Sequence, residues 1–280
     1  MRNFILQNIV KRFILFFKSF DFGAYILDYV LKVLMESRYK VIHNKIEFQF
    51  ATPNKLCEYR AKSFSSKEPE TLQWIDSFSA DSVFWDIGAN VGLYSIYAAK
   101  TKNIQIFSFE PSIFNVELLA RNINLNNVQD KICIVPLPIS DVMQFSTMNM
   151  SSTEWGGALS SFGRDIGWDG NKMLVVFKYQ ILGSTIDDMV EKNKLPIPDY
   201  VKIDVDGIEH FILNGGLSVL QNIKELLIEV NDGFLEQAEM CEKVLLSVGL
   251  TMREKRHSEE FDQVGAFGGG QVWNQIWYRV

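Results

Sequence analysis

The chain has 280 residues, nearly half of them apolar and 22% charged, which suits one large globular domain with an extension and excludes disordered, collagen-like and low-complexity classes. Its three isolated cysteines form no CxxC pair, so neither a disulfide framework nor a structural zinc site is expected, and the thiols predict a reducing, cytoplasmic compartment. The net charge is −6, and it is unevenly distributed. Residues 1–60 hold ten basic and five acidic residues, whereas residues 61–280 hold 18 basic and 29 acidic residues. The acidic character of this larger part argues against nucleic acid as a partner.

Two helices are predicted at the N-terminus. Apolar residues recur at intervals of three and four between Ile5 and Phe20, and residues 22–38 predict a second helix after a break at Gly23. The first 20 residues carry four cations and no acid, which is typical of a helix lying in a membrane interface. We expect residues 1–38 either to make peripheral contact with a membrane or to pack on the domain or on a second copy of the chain.

Beyond residue 40 the pattern changes to short strands over 41–50, and from residue 83 apolar strands alternate with helices. This alternation indicates an α/β protein whose parallel sheet is covered on both faces. Residues 1–65 are therefore predicted to be an extension of a domain that spans 66–280. The predicted strands are 83–86, 104–109, 132–135, 200–205, 226–230 and 271–280, the last preceded by a glycine turn at 268–270. The predicted helices are 70–78, 93–99, 116–125, 208–220 and 235–248.

Residues 142–182 do not follow the alternation of strands and helices. They are rich in Gly, Ser and Asp, with one strand predicted at 174–177. We interpret them as an insertion that borders the substrate, because excursions of this kind often line the pocket in α/β folds.

The strongest local signal is WDIGANVG at 85–92, between the first strand and its helix. Gly88 and Gly92 allow close approach of a ligand to the backbone, and Glu110 closes the next strand, where an acid accepts hydrogen bonds from ribose hydroxyls. Dinucleotide loops carry glycine where this chain has Asn90, whose side chain would crowd a pyrophosphate but tolerates a left-handed turn. The loop therefore favours a ribose ligand without phosphates, such as S-adenosylmethionine, with Asp86 holding its ammonium group.

Three motifs, DIGANVG at 86–92, FEP at 109–111 and KIDVDGIE at 202–209, resemble those of FkbM-type methyltransferases, a branch of the class I S-adenosylmethionine-dependent enzymes. The resemblance implies a Rossmann-like, seven-stranded, mostly parallel sheet with helices on both faces, to which the N-terminal helical extension is added. It also implies O-methylation of sugars or small natural products. The cofactor-binding residues that it implies are Asp86, Gly88, Asn90, Gly92 and Glu110, together with Ser140 and Asp141 against the adenine. One departure is Asp206, where the usual motif has Glu.

A hydroxyl acceptor must be positioned against the methyl group and must lose its proton. Asp204 is the best candidate for the base, because it lies at the carboxyl end of a strand that neighbours the first strand at the topological switch point. Lys202 has the same strand parity and would keep Asp204 ionised. Glu209, at the start of the next helix, and Glu229, at the end of the following strand, complete the candidate catalytic set. The alternative is structural: an acid at a helix N-terminus and a simple ion pair.

Asp204, Glu229, Asn231 and Asp232 are oxygen ligands of the type that Mg²⁺ accepts, but no metal site is predicted. The sequence thus predicts a cytoplasmic, S-adenosylmethionine-dependent methyltransferase acting on a hydroxyl of a saccharide or related small metabolite. Two alternatives stay open. One is an NAD-dependent sugar oxidoreductase, against which Asn90 argues, and the other is a non-catalytic subunit that docks on a membrane through residues 1–38.

Overall fold

The computed structural model describes residues 2–257 and 270–280, with side chains from residue 6 onward. Most of the predicted glycine turn at 268–270 lies outside the described residues. The helices are α1 (Arg2–Lys18), α2 (Asp21–Met35), α3 (Lys55–Lys62), α4 (Pro69–Asp76), α5 (Leu93–Thr101), α6 (Ile113–Asn126), α7 (Ile186–Glu191), α8 (Glu209–Asn214), α9 (Leu217–Leu220) and α10 (Leu235–Ser247). The strands are β1 (Arg38–His43), β2 (Ile46–Ala51), β3 (Val83–Ile87), β4 (Gln105–Phe109), β5 (Ile132–Val135), β6 (Gln144–Met150), β7 (Ser160–Phe162), β8 (Phe177–Gly183), β9 (Tyr200–Ile203), β10 (Glu225–Asn231), β11 (Leu250–Arg256) and β12 (Val272–Arg279).

The central sheet has seven strands in the order β11-β12-β10-β9-β3-β4-β5. The pairs from β10 to β5 are parallel, and β12 is antiparallel to both of its neighbours. The predicted seven-stranded, mostly parallel sheet is therefore confirmed. The strand order reverses between β3 and β9, where Asp86 is in register with Lys202. Ligands of such sheets bind outside the carboxyl ends of the strands at this point.

Apolar cores cover the sheet on both faces because successive side chains of a strand point in opposite directions. Trp85 and Val201 belong to the core on one face, and Phe84 and Tyr200 to the core on the other. Phe48 of β2 is fully buried in the second of these cores. The β1–β2 hairpin is thus part of the packed body of the protein.

The insertion at 142–182 folds into a second, three-stranded antiparallel sheet of order β7-β6-β8. The strand predicted at 174–177 is wrong: β8 begins only at Phe177 and runs to Gly183. Leu174 and Val176 are 81% and 63% exposed, so the apolar run that suggested a strand is not buried against the sheet.

A single helix over 208–220 is also wrong, because the segment forms α8 and α9 with Gly215 and Gly216 between them. Glycine weakens a helix, and here it also allows close packing: a Cβ built on Gly215 would lie 2.2 Å from the carbonyl oxygen of Ser140. Helix α3 and the charged strand β11 were not predicted at all.

The N-terminal helices are confirmed, but α2 begins at Asp21, so Gly23 lies in its first turn rather than between the helices. A Cβ on Gly23 would lie 1.9 Å from the carbonyl oxygen of Phe17, so glycine permits the close contact between α1 and α2. No described side chain of either helix belongs to an apolar core. Within the described ranges, no helix has the length and apolar character needed to cross a bilayer.

Candidate active site

The loop after β3 runs close to the end of β9. Gly88 donates its N–H to the carbonyl oxygen of Phe109 at 2.9 Å. A Cβ built on Gly88 would lie 1.9 Å from the carbonyl oxygen of Asp204, so no other residue fits without moving the backbone. Gly88, Asn90 and Gly92 all have positive φ, of 88°, 51° and 86°. The asparagine therefore adopts the left-handed conformation that its residue type tolerates.

Glu110 is held directly beneath this loop by two backbone donors. Its Oε2 accepts the N–H of Asn90 at 2.8 Å and its Oε1 accepts the N–H of Ser112 at 2.8 Å. Burial raises the pKa of Glu110 to about 7 in spite of these hydrogen bonds. Each carboxylate oxygen has a second lone pair, so the group retains the capacity to accept hydrogen bonds from two ribose hydroxyls.

A narrow cavity of about 70 Å³ extends from Glu110 over the carboxyl ends of β3 and β4. Its walls include Pro111 and the apolar side chains of Leu137 and Ile139. The Oδ1 atom of Asn90 is buried at this cavity with no hydrogen-bond partner among the described residues. The carboxylate, the apolar slot and the unsatisfied acceptor match the chemistry of the ribose, the base and a donor group of an adenosine-type cofactor.

Asp86 lies beneath the loop and lines neither this cavity nor the larger one described next. Its side chain is buried, and its Oδ2 accepts the hydroxyl of Ser95 at 2.5 Å. Its Oδ1 has no partner among the described residues, and burial raises the pKa of the carboxyl. The predicted contact with the cofactor's ammonium group stays a prediction.

Ser140 and Asp141 lie one step beyond the cavity wall. Ser140 donates to Oδ1 of Asp141 at 3.0 Å, and Asp141 forms an ion pair with Arg164 at 2.9 Å. Neither residue lines a described cavity, whereas Leu137 and Ile139 just before them do. The contact of Ser140 and Asp141 with an adenine therefore stays a prediction.

A larger cavity of about 580 Å³ adjoins the narrow one on the side of α3 and the insertion. The residues that line both spaces are Gly88, Asn90, Gly157, Ala158, Asp204 and Asp206. Asp204 therefore lies where a cofactor in the first space would meet an acceptor in the second. The insertion contributes Trp168 to the larger space, in the position expected of a substrate-bordering segment.

Lys202 and Asp204 form the ion pair that their strand parity predicts. The Nζ of Lys202 lies 2.6 Å from Oδ2 of Asp204, and the two side chains are 1% and 23% exposed. Burial opposes the charge of Lys202, but the carboxylates of Asp204, Glu68 and Asp86 outweigh it and raise the pKa of the lysine above its ordinary value. The lysine is thus a fixed cation beneath the floor of the larger cavity.

The other two candidate catalytic acids differ in position. Glu229 lines the larger cavity, where burial and the charge of Asp204 raise its pKa well above the ordinary value. Glu209 lines neither cavity; its carboxylate accepts the N–H groups of Gly207 and Val205 and a hydrogen bond from Gln237. Burial raises the pKa of Glu209 to about 7. Glu209 therefore stabilises the loop after β9 through hydrogen bonds to its backbone.

Several residues of the larger cavity were missed by sequence reasoning. Lys67 and Glu68 form a 2.7 Å ion pair at the cavity, and Glu68 is 2% exposed. Burial alone would raise the pKa of Glu68, but Lys67 and Lys202 hold it below the ordinary value. Arg60 of α3 and Tyr94 of α5 complete this wall.

Asp206, the departure from the usual motif, joins two loops. Its Oδ2 accepts the N–H of Leu159 in the insertion at 2.6 Å, and its φ is 66°. Burial and the neighbouring charge of Asp204 raise its pKa to about 6. The shorter acid thus holds the insertion against the end of β9.

The four oxygen ligands considered for Mg²⁺ do not converge. The Oδ1 of Asn231 accepts the N–H of Gly233, and Asp232 forms an ion pair with Lys255 at 2.5 Å. Among the described residues, no group of three His, Cys, Asp or Glu side chains is arranged to hold a metal ion.

The family match defines the class of protein as an S-adenosylmethionine-dependent methyltransferase. Residues 86–257 match the family described as the methyltransferase FkbM domain, and the chain belongs to this family. Family membership establishes methyl transfer with S-adenosylmethionine as cofactor. It does not favour the NAD-dependent oxidoreductase or the non-catalytic subunit.

One curated protein and two solved structures illustrate what this chain is similar to. The hexuronic acid methyltransferase AglP of Haloferax volcanii is 26% identical over 176 residues, which is 62% of this chain and 66% of AglP. Precorrin-6y C5,15-methyltransferase from Geobacter metallireducens has 16% identity and a TM-score of 0.46, over 82% of this chain and 94% of that one. TYW2 of P. horikoshii, in complex with MeSAdo, has 11% identity and a TM-score of 0.46, over 88% and 73%.

Proposed function

We propose that the protein is an O-methyltransferase that transfers the methyl group of S-adenosylmethionine to a hydroxyl of a saccharide or related small metabolite, with Asp204 as the general base. The observation that carries this proposal is the position of Asp204, which lines both cavities and is paired with a buried lysine at 2.6 Å. The positive charge of the lysine faces this carboxylate, and a carboxylate at the acceptor is a suitable group for proton removal.

In the proposed reaction, the bond from the acceptor oxygen to the methyl carbon forms as the sulfur–carbon bond breaks, and the bonding electron pair stays on sulfur. The cofactor supplies a methyl group on a positively charged sulfur. Asp204 takes the hydroxyl proton, Glu110 holds the ribose hydroxyls, and Glu229 lines the space that the acceptor would occupy. Lys202 is a positioning residue, and Glu209 fixes the loop after β9.

Two observations support a saccharide as the acceptor. The larger cavity, at about 580 Å³, is within the range of small-molecule sites and combines aromatic groups, Tyr59 and Trp168, with the cations Arg60 and Lys67. The relative AglP is described as a hexuronic acid methyltransferase. Free thiols, including the exposed Cys133, fit the reducing interior of a cell, and we propose a cytoplasmic location.

The test is turnover by Asp204→Asn with hexuronic-acid-containing oligosaccharides as acceptors and mass analysis of the product. We expect kcat to fall by about 10²–10⁴-fold, as for loss of a general base, with binding of S-adenosylhomocysteine retained. Asp232→Asn is the matched control, because this carboxylate at the end of β10 is 41% exposed and paired with Lys255. Full activity of Asp204→Asn would remove that residue from the mechanism, and a methyl group gained on nitrogen or carbon would overturn O-methylation.

A further inference from the structure

Helices α1 and α2 present a large apolar surface that the rest of the described protein does not cover. Phe13 and Phe16 of α1 are 67% and 64% exposed, and Phe22 and Tyr25 of α2 are 72% and 68% exposed. The only buried residue that the structure describes in these two helices is Gly23. An uncovered apolar surface of this extent marks an interaction site.

Helix α1 has two chemically distinct sides. Over residues 6–18, at about 100° per residue, one half of the circumference is apolar, and the cations Lys11, Arg12 and Lys18 lie on the other half together with one apolar residue, Leu15. The apolar half contains Leu6, Ile9, Val10, Phe13, Ile14, Phe16 and Phe17. All three cations are exposed. This arrangement is that of a helix lying in the plane of a membrane interface, with its apolar side in the acyl boundary and its cations at the headgroups.

The charge distribution selects one partner for this surface. The first 20 residues hold four cations and no acid, whereas residues 61–280 hold 18 basic and 29 acidic residues. Anionic headgroups would attract α1 and repel the acidic body, so contact through the helices alone is favoured. Packing against a second copy of α1 would cover the apolar side but would leave the cations without an anionic partner. No described helix is able to cross the bilayer, and a helix lying in the interface does not need to.

We propose that the helical hairpin formed by α1 and α2 docks the protein on anionic phospholipid surfaces, with α1 in the plane of the interface. This surface function is separate from methyl transfer and does not depend on the identity of the acceptor. The apolar side chains of α2 enlarge the buried contact, and the cations of α1 set the preference for anionic lipid.

The experiment is co-sedimentation of the full chain with vesicles of pure phosphatidylcholine and with vesicles in which about one third of the lipid is phosphatidylglycerol. The wild type sediments with the anionic vesicles and much less with the neutral ones. Each cation at the surface contributes about fivefold to affinity, so Lys11→Glu/Arg12→Glu weakens binding at least about 25-fold. Phe13→Ser/Phe16→Ser weakens binding by removing apolar contact while leaving the charge unchanged.

The matched control is Lys172→Glu/Lys192→Glu, which makes the same change in net charge on the body at side chains that are 82% and 60% exposed. It retains wild-type binding within about twofold, since exposed charges beyond a Debye length are screened. Binding of S-adenosylhomocysteine by each variant reports that it is folded, and a wild type that failed to bind this compound would count against methyl transfer rather than against docking.

Three outcomes would overturn the proposal. The first is a wild type that stays in the supernatant with anionic vesicles at low salt. The second is a body control that loses as much binding as the helix variant. The third is a dimer, seen by light scattering, that Phe13→Ser/Phe16→Ser converts to a monomer without any vesicle binding, which would assign the surface to a second copy of the chain.

Discussion

Lys202 is the cation that balances the carboxylates of the site, and replacing it with methionine removes the charge at little change in length. Its Nζ lies 2.6 Å from Oδ2 of Asp204, and its side chain is 1% exposed. Removing one partner of a buried ion pair costs about 3–5 kcal/mol of unfolding free energy. Because Asp204 is 23% exposed and retains some contact with water, we expect Lys202→Met to lose about 3 kcal/mol, the lower end of that range.

The loss should depend on pH, and its sign follows from the neighbouring acids. In the wild type, the pKa of Lys202 is raised above 10.5, so its contribution to stability is complete below that value and constant between pH 5 and 8. Without the cation, the native-state pKa values of Glu68 and Asp86, which the charge of Lys202 lowers, rise. An acid whose pKa is higher in the native state than in the unfolded state destabilises the fold at pH values above its unfolded-state pKa. Protonation of the acid at lower pH removes this destabilisation. The deficit of Lys202→Met is therefore larger at pH 8 than at pH 5.

Urea unfolding at these two pH values measures the effect, with Lys192→Met as the matched control. Lys192 forms an exposed i,i+4 pair with Asp188 at 2.7 Å and is 60% exposed, so its replacement should cost less than about 1 kcal/mol at either pH. A loss below about 1 kcal/mol for Lys202→Met, or a loss that does not change with pH, would refute the electrostatic account of this site.

Three further changes test the cofactor side of the site. Gly88→Ala should lower the free energy of unfolding by at least about 3 kcal/mol, because the added Cβ would lie 1.9 Å from the carbonyl oxygen of Asp204 at a φ of 88°. The control is Gly163→Ala, where the Cβ would lie 3.4 Å from Ser146 at a φ of 71°, and it should cost about 1 kcal/mol. Urea unfolding measures both changes. Glu110→Gln should weaken binding of S-adenosylhomocysteine at least about tenfold in calorimetry, because one hydrogen bond to a charged acceptor contributes about 1.5–3 kcal/mol. Unchanged affinity would exclude ribose binding by Glu110. Since the pKa of Glu110 is about 7 and the ionised form accepts both hydroxyls, wild-type affinity should rise between pH 6 and 8, and this rise should be absent in Glu110→Gln.

The sequence was sufficient for the parts of the fold that local pattern determines. Strands such as β3 and β9 are short, apolar and buried on both faces, and they alternate with helices, so both their type and their neighbouring positions follow from the pattern. The parity of Lys202 and Asp204 likewise predicts their ion pair, because residues two apart lie on the same side of a strand.

The remainder depends on contacts between distant segments. The break between α8 and α9 accompanies the close approach of Gly215 to Ser140, and no local pattern reveals that contact. Strand β11 is half charged, as expected of a protected edge, and therefore lacks an apolar signature. Glu68 lies in a polar segment typical of a turn, and only the fold places its carboxylate near the buried lysine.

The loop after β3 and Glu110 are proposed to bind the nucleoside of the cofactor with its sulfur facing Asp204. A crystal structure of the protein with S-adenosylhomocysteine would show this binding mode. We expect ribose hydroxyls within about 2.5–3.0 Å of the Glu110 carboxylate and a sulfur that opens toward the larger cavity beside Asp204. A ribose bound elsewhere, or a sulfur directed away from that cavity, would contradict it.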